Sequence, residues 1–195
     1  MQEAVPVGIG KMAAIIGLSE KKLNEVILKA QEKGVVVICN YNTPKQLVIG
    51  GEQEAVDMAM ELSVEAGARR AIPLKVSGPF HTPLLEPASI KLKNELENIE
   101  FNDMKIPVIT NVTADIIPNK ELIKEILVKQ VKSPVKWSDS IRRMIDMGVT
   151  TFVEIGPGRT LSGFMREIDR NVKVFNVEDI KSLNKTLEGM KIENA

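Results

Sequence analysis

"VVVICNYNTPKQLVIGG", Val35 to Gly51, is the stretch on which the fold turns. "VVVICN" is a β-branched run of strand length, "YNTPK" carries Asn-Thr-Pro turn chemistry, and "QLVIGG" is a second apolar strand. On its N-terminal side lies "SEKKLNEVILKAQEKG", a helix that Ser19 can cap and Gly34 can end, with Leu23, Val26, Ile27 and Ala30 at helical spacing. On its C-terminal side "EQEAVDMAMELSVEAGA" reads as a second helix, with Ala55, Met58, Ala59 and Leu62 on one stripe. The short apolar run "KMAAIIGL" reads as a buried strand that begins the set, and "RRAIPLKV" closes it with another. The order is therefore β-α-β-β-α-β, the ferredoxin-like split unit, in which two helices cover one face of a four-stranded antiparallel sheet. That fold hosts many unrelated functions and cannot name an activity.

After Val76 the pattern changes. Helices are expected over Pro83–Asn98, Lys120–Val131, Ser138–Gly148, Arg159–Asp169 and Glu178–Gly189, with strands at "IPVITNV", "TTFVEIG" and "VKVFNV". Strands alternating with helices favour a parallel sheet covered by helices. Three strands make only part of such a layer, and its edges must be paired or covered. The expected division is a ferredoxin-like unit over 8–76 and part of a larger α/β layer over 77–195.

Composition narrows the function classes. The chain has 195 residues, 44% of them hydrophobic, enough for a full core. Lysine plus arginine equals aspartate plus glutamate at 26 each and no basic run stands out, which disfavours nucleic-acid and membrane partners. Cys39 is the single cysteine, so an intramolecular disulfide is impossible and the chain reads as cytoplasmic, with the thiol a buried small hydrophobe. Neither clustered His and carboxylates nor a cysteine pair offers a metal site.

His81, the only histidine, sits in "SGPFHTPLLEPA" between a turn and a helix, where functional loops of α/β sheets gather. An imidazole there can take a proton from a hydroxyl or thiol near neutral pH. On spacing alone it reads equally as a structural side chain. No Gly-x-Ser-x-Gly elbow occurs in the 195 residues: Ser19, Ser77 and Ser162 all fail the pattern. "EIGPGRTLSGF" puts glycines at a strand-to-helix turn but matches no phosphate-loop motif. Asn40, Asn42 and Gln46 lie at the hairpin turn, suited to stabilising it or to binding polar groups.

Six motifs in order, "MQEAVPVGIGKMAAIIGL", "CNYNTPKQLVIGG", "VSGPFHTPLLEPA", "IPVITNVTA", "VKSPVKW" and "FVEIGPGRTLSGF", resemble the malonyl-CoA:acyl carrier protein transacylase family of bacterial fatty-acid synthesis. The resemblance covers nearly the whole chain. It implies a ferredoxin-like subdomain joined to the C-terminal part of an α/β-hydrolase-like acyltransferase core. The implied chemistry is ping-pong transfer of malonyl from coenzyme A to a serine and then to the phosphopantetheine thiol of acyl carrier protein. No bound cofactor is implied, only a coenzyme A thioester as substrate.

By the same resemblance His81 is the general base and acid, and Gln130 orients it, commonly through its backbone carbonyl. Asn40, Asn42 and Gln46 line the substrate side, with Gln46 toward coenzyme A or pantetheine. The family's Gly-Gln-Gly oxyanion segment, its Gly-His-Ser-x-Gly-Glu elbow and its malonyl-clamping arginine have no counterpart in these residues. Loss of a catalytic serine costs on the order of 10⁶ in turnover in a serine protease, so the chain alone is expected to be inactive. It is expected to self-associate or to be rescued by an N-terminal segment supplied in trans. Two other readings stay open: a non-catalytic module that binds acyl carrier protein or pantetheine, and a small-molecule sensor in which His81 is structural.

Overall fold

The computed structural model describes residues 10–76 and 78–191; Gly8 and Ile9 at the expected start of the first unit, Ser77, and residues 192–195 lie outside the described residues. The chain forms two compact units, one up to Ser140 and one from Ile141 onward.

The first unit is built on a four-stranded antiparallel sheet. Its strands are β1 (Gly10–Ile16), β2 (Val36–Thr43), β3 (Gln46–Glu52) and β4 (Arg70–Pro73), in the spatial order β2-β3-β1-β4. Helices α1 (Glu20–Ala30) and α2 (Gln53–Glu65) complete the expected β-α-β-β-α-β order. Period-two alternation assigns the faces. Ala13, Ile15, Leu47 and Ile49 belong to the core shared with α1 and α2, while Met12, Ala14 and Val48 belong to a second cluster.

Local chemistry explains both helices. Ser19 Oγ accepts from Lys22 N–H, Glu20 and Lys29 complement the helix dipole at the two ends of α1, and Leu23, Val26, Ile27 and Ala30 are its buried face. In α2 the buried face is Ala55, Val56, Ala59 and Ser63, with Met58 and Leu62 only partly buried, so the stripe is rotated from the expected one. Ser63 tolerates full burial because its Oγ donates to Ala59 O at 2.6 Å.

The hairpin is tighter than its composition predicts. Asn40, Tyr41, Asn42 and Thr43 extend β2, and Pro44 and Lys45 alone make the turn. Register shifts between Ile38 and Asn40 and between Tyr41 and Thr43 absorb the turn-forming residues as bulges within the strand. The first of them carries Cys39 into the cluster of Met12, Ala14 and Val48.

Beyond β4 the first unit continues with α3 (Glu86–Leu96) and α4 (Ile123–Lys132), each opened by a short 3₁₀ turn. Leu85, Ala88 and Val131 form the cluster between them, and Phe80 packs against it. The expected strand "IPVITNV" is not formed. Ile106 and Val108 are exposed, and the segment makes a single bridge, Ile109 with Ile116. Among the described residues these β-branched side chains have no partner strand to bury against, and β propensity alone does not make a strand.

Helix α5 (Trp137–Asp146) crosses the division between the units. The second unit holds two parallel strands, β5 (Thr151–Ile155) and β6 (Lys173–Val177), with helices α6 (Thr160–Ile168) and α7 (Ile180–Lys191). The parallel pairing is the one expected from strand-helix alternation, with two strands in place of three.

Candidate active site

The site is assembled on the sheet face opposite α1 and α2. At Gly10 an added Cβ would lie 2.2 Å from Pro79 Cδ, and at Gly50 one would lie 3.1 Å from both Cys39 Sγ and Thr82 Cγ2. These two glycines let the Pro79–Thr82 turn lie directly on the strands. Phe80, partly buried, packs against the cluster of Met12, Ala14, Cys39 and Val48 and against the α3–α4 cluster. It is the apolar wedge that fixes the turn carrying His81.

His81 adopts φ 61°, the left-handed region, where a non-glycine residue costs roughly 1–3 kcal/mol and persists only when its surroundings impose it. Here they do. Pro79 and Thr82, on either side, are both fully buried, and Thr82 Oγ1 donates to Pro79 O at 2.7 Å. Leu85 N–H then donates to Thr82 O at 3.1 Å, leading the chain into the 3₁₀ turn before α3.

His81 Nδ1 lies 3.1 Å from Gln130 O. Gln130 is in the last turn of α4, where backbone carbonyls lack an intrahelical donor, so its oxygen is available to a side chain. A carbonyl only accepts, which requires the proton on Nδ1 and leaves Nε2 of the neutral ring as the basic nitrogen. The Gln130 side chain is held as well: its Oε1 accepts from Asn111 N–H at 3.0 Å. Asn111 O in turn accepts from Lys136 N–H at 2.8 Å.

The segment after α4 is tied to the sheet. Tyr41 N–H donates to Val135 O at 2.8 Å and Val135 N–H donates to Cys39 O at 2.9 Å, a parallel bridge centred on Asn40 and Val135. Asn42 Nδ2 donates to Gln46 Oε1 at 2.9 Å across the hairpin. Of the residues singled out from sequence, His81 and Gln130 are therefore in contact, Asn42 and Gln46 pair with each other, and Asn40 lies in the strand that binds Val135. Thr82, Asn111, Gly10 and Gly50 were not foreseen.

Cys39 is not a nucleophile in this state. Burial pushes its thiol up to about 12, and Sγ sits 3.4 Å from Val48 O. The strand-to-helix turn of the second unit and the start of α6 likewise bind carboxylates of that unit, Gly158 N–H donating to Glu178 Oε2 at 3.0 Å. Glu154 Oε1 accepts from Leu161 N–H at 3.0 Å and Oε2 from Ser162 N–H at 2.7 Å, which satisfies the first turn of α6 internally. Partial burial raises the Glu154 carboxyl, but the hydrogen bonds from Ser162 Oγ, Ser162 N–H and Leu161 N–H outweigh it and hold the group below its ordinary value. Among the described residues no group of three or more metal-ligating side chains converges, and no helix is long and apolar enough to cross a membrane.

The structure thus holds the His81 ring by Nδ1 at a backbone carbonyl, with Nε2 as its basic nitrogen. The family profile for acyl transferase domains matches residues 1–185, taking in the hairpin, His81 and Gln130. The chain belongs to the acyl transferase domain family. Within that family it is 46% identical over 195 residues to the malonyl CoA-acyl carrier protein transacylase of Bacillus subtilis (strain 168), covering 100% of this chain and 62% of that protein. Among solved structures, the malonyl CoA-acyl carrier protein transacylase of Clostridium perfringens ATCC 13124 superposes with a TM-score of 0.96 at 46% identity, over 100% of this chain and 61% of that one. A malonyl-transacylase solved in complex with a type II PKS acyl-carrier protein gives a TM-score of 0.93 at 40% identity, over 96% and 61%. The mixed α/β architecture of this acyl transferase chain is thus that of the transacylases. The chain spans just over three fifths of the length of these relatives.

Proposed function

We propose that these residues carry the general base of a malonyl transfer from coenzyme A to the phosphopantetheine thiol of acyl carrier protein. In the first half-reaction Nε2 of His81 takes the proton of a serine hydroxyl as its oxygen attacks the thioester carbonyl. The carbon–sulfur bond breaks, and the departing coenzyme A sulfur receives that proton. In the second half-reaction Nε2 takes the proton of the carrier thiol, the sulfur attacks the serine ester, and the serine oxygen recovers the proton. The observation that carries this reading is the 3.1 Å contact of His81 Nδ1 with Gln130 O, which orients the ring for proton transfer at Nε2.

The serine is supplied from outside these 195 residues, whose sequence contains no elbow motif, and the chain alone is inactive. Residues 8–76 act as the small subdomain and 77–195 as the C-terminal part of the larger one. Asn40, Asn42 and Gln46 line the substrate side. Gln46 Oε1 is engaged by Asn42, and its Nε2 hydrogens can donate to an amide carbonyl of pantetheine. The work is done in the cytoplasm, in keeping with a lone, buried and reduced Cys39.

The test is the intact mass of the chain incubated with malonyl-CoA, with and without a co-expressed segment bearing a Gly-His-Ser-x-Gly-Glu elbow. Malonylation is expected on the segment's serine, and only when both are present. Malonyl attached to the 195-residue chain by itself would refute the missing-nucleophile account. Capture of acyl carrier protein with no transfer under any condition would make the chain a binding module.

A further inference from the structure

We propose that Thr82 is a positioning residue for His81: its side-chain hydroxyl locks the left-handed turn that brings Nδ1 to the Gln130 carbonyl. This rests on the reading of His81 as the base. His81 lies inside a four-residue turn from Pro79 to Thr82, and a turn of this size is usually closed by a backbone N–H. Here the Thr82 hydroxyl closes it, by its 2.7 Å bond to Pro79 O. Both ends of the turn are fully buried, so water cannot replace that donor. The Thr82 methyl has a separate place, at Gly50, where an added Cβ would sit 3.1 Å from it. Threonine therefore supplies two separable things, a hydroxyl that sets the His81 backbone and a methyl that seats the turn on β3. The hydroxyl is the one that acts on the ring, because a left-handed φ of 61° at His81 persists only while the turn is held shut.

His81 is the only histidine, so its ring is observed without assignment in a long-range ¹H–¹⁵N spectrum of the full chain. Thr82→Val keeps the shape and removes the donor; Thr82→Ser keeps the donor and removes the methyl. The wild-type ring is expected as the Nδ1–H tautomer. Thr82→Val is expected to lower the ratio of Nδ1–H to Nε2–H tautomers roughly fivefold, the worth of one hydrogen bond, with Thr82→Ser retaining the wild-type ratio. An unmoved tautomer in Thr82→Val, or equal shifts in both variants, overturns the proposal. If Thr82→Val does not give the wild-type backbone amide spectrum, Thr82→Ser is compared with Thr82→Ala and read in the same way. The ring signal needs no acyl substrate, so failed acyl transfer with the elbow segment speaks only against the base assignment.

Discussion

Replacing Gly10 by alanine places a Cβ 2.2 Å from Pro79 Cδ and 2.4 Å from Cγ, well inside van der Waals contact. The neighbour is a rigid ring, fully buried, whose carbonyl is the acceptor that anchors Thr82. It cannot swing aside as a lysine tip would, so either β1 or the His81 turn must move. Overpacking of this kind costs roughly 1–3 kcal/mol. For a chain of this size each kcal/mol lowers the melting temperature by about 2–4 °C, giving a fall of about 2–12 °C by circular dichroism. The cost should belong to the pair, since removing the ring with Pro79→Ala opens the space that the new methyl needs. A double-mutant cycle is then expected to return a coupling of roughly 0.5–3 kcal/mol, with Gly10→Ala much less damaging in the Pro79→Ala background. Additive effects of the two substitutions, or a Gly10→Ala melting point within 1 °C of wild type, would refute the claim that this glycine seats the His81 turn.

The core between the sheet and its two helices makes a simpler demand. Leu23 is 0% exposed and Leu28, on the same helix, is 71% exposed. Leu23→Ala should cost roughly 2–5 kcal/mol in urea unfolding, and Leu28→Ala should stay within about 0.5 kcal/mol. At the α6 terminus the folded Glu154 carboxyl titrates below its ordinary 4.5, so its contribution is present above that pH and is lost as pH falls through the folded value. Glu154→Gln should melt below wild type at neutral pH and converge with it in acid; parallel curves down through the carboxylate range would rule out the cap.

The split β-α-β-β-α-β unit was legible because each of its signals is local. Ser19 caps within one turn, and Leu23, Val26, Ile27 and Ala30 share a face whatever lies opposite. Where burial depends on a distant partner, sequence reading went astray. Ile106 and Val108 have strand chemistry but no neighbouring strand among the described residues, and the face of α2 turned toward Val56 and Ser63, where Ser63 satisfies its own hydroxyl within the helix. Asn40 and Asn42 have turn chemistry, yet the bulges in β2 keep them in the strand. At the site, His81 stood out as a lone imidazole, but its contact with Gln130 spans 49 positions and no local pattern predicts it. Gln130 entered through the resemblance, and the hydrogen bonds of Thr82 and Asn111 join groups that no local pattern pairs.

Cys39 lies beneath the turn that carries His81, in one cluster with Phe80 and close to the Thr82 methyl at Gly50. A reagent in solution can reach its sulfur only after the turn lifts or the whole sheet comes apart. The chain thus contains its own clock for local opening. Labelling of the one thiol at rising denaturant would have a denaturant-independent phase if the turn detaches alone, and would follow the global unfolding curve if turn and sheet open as a single unit.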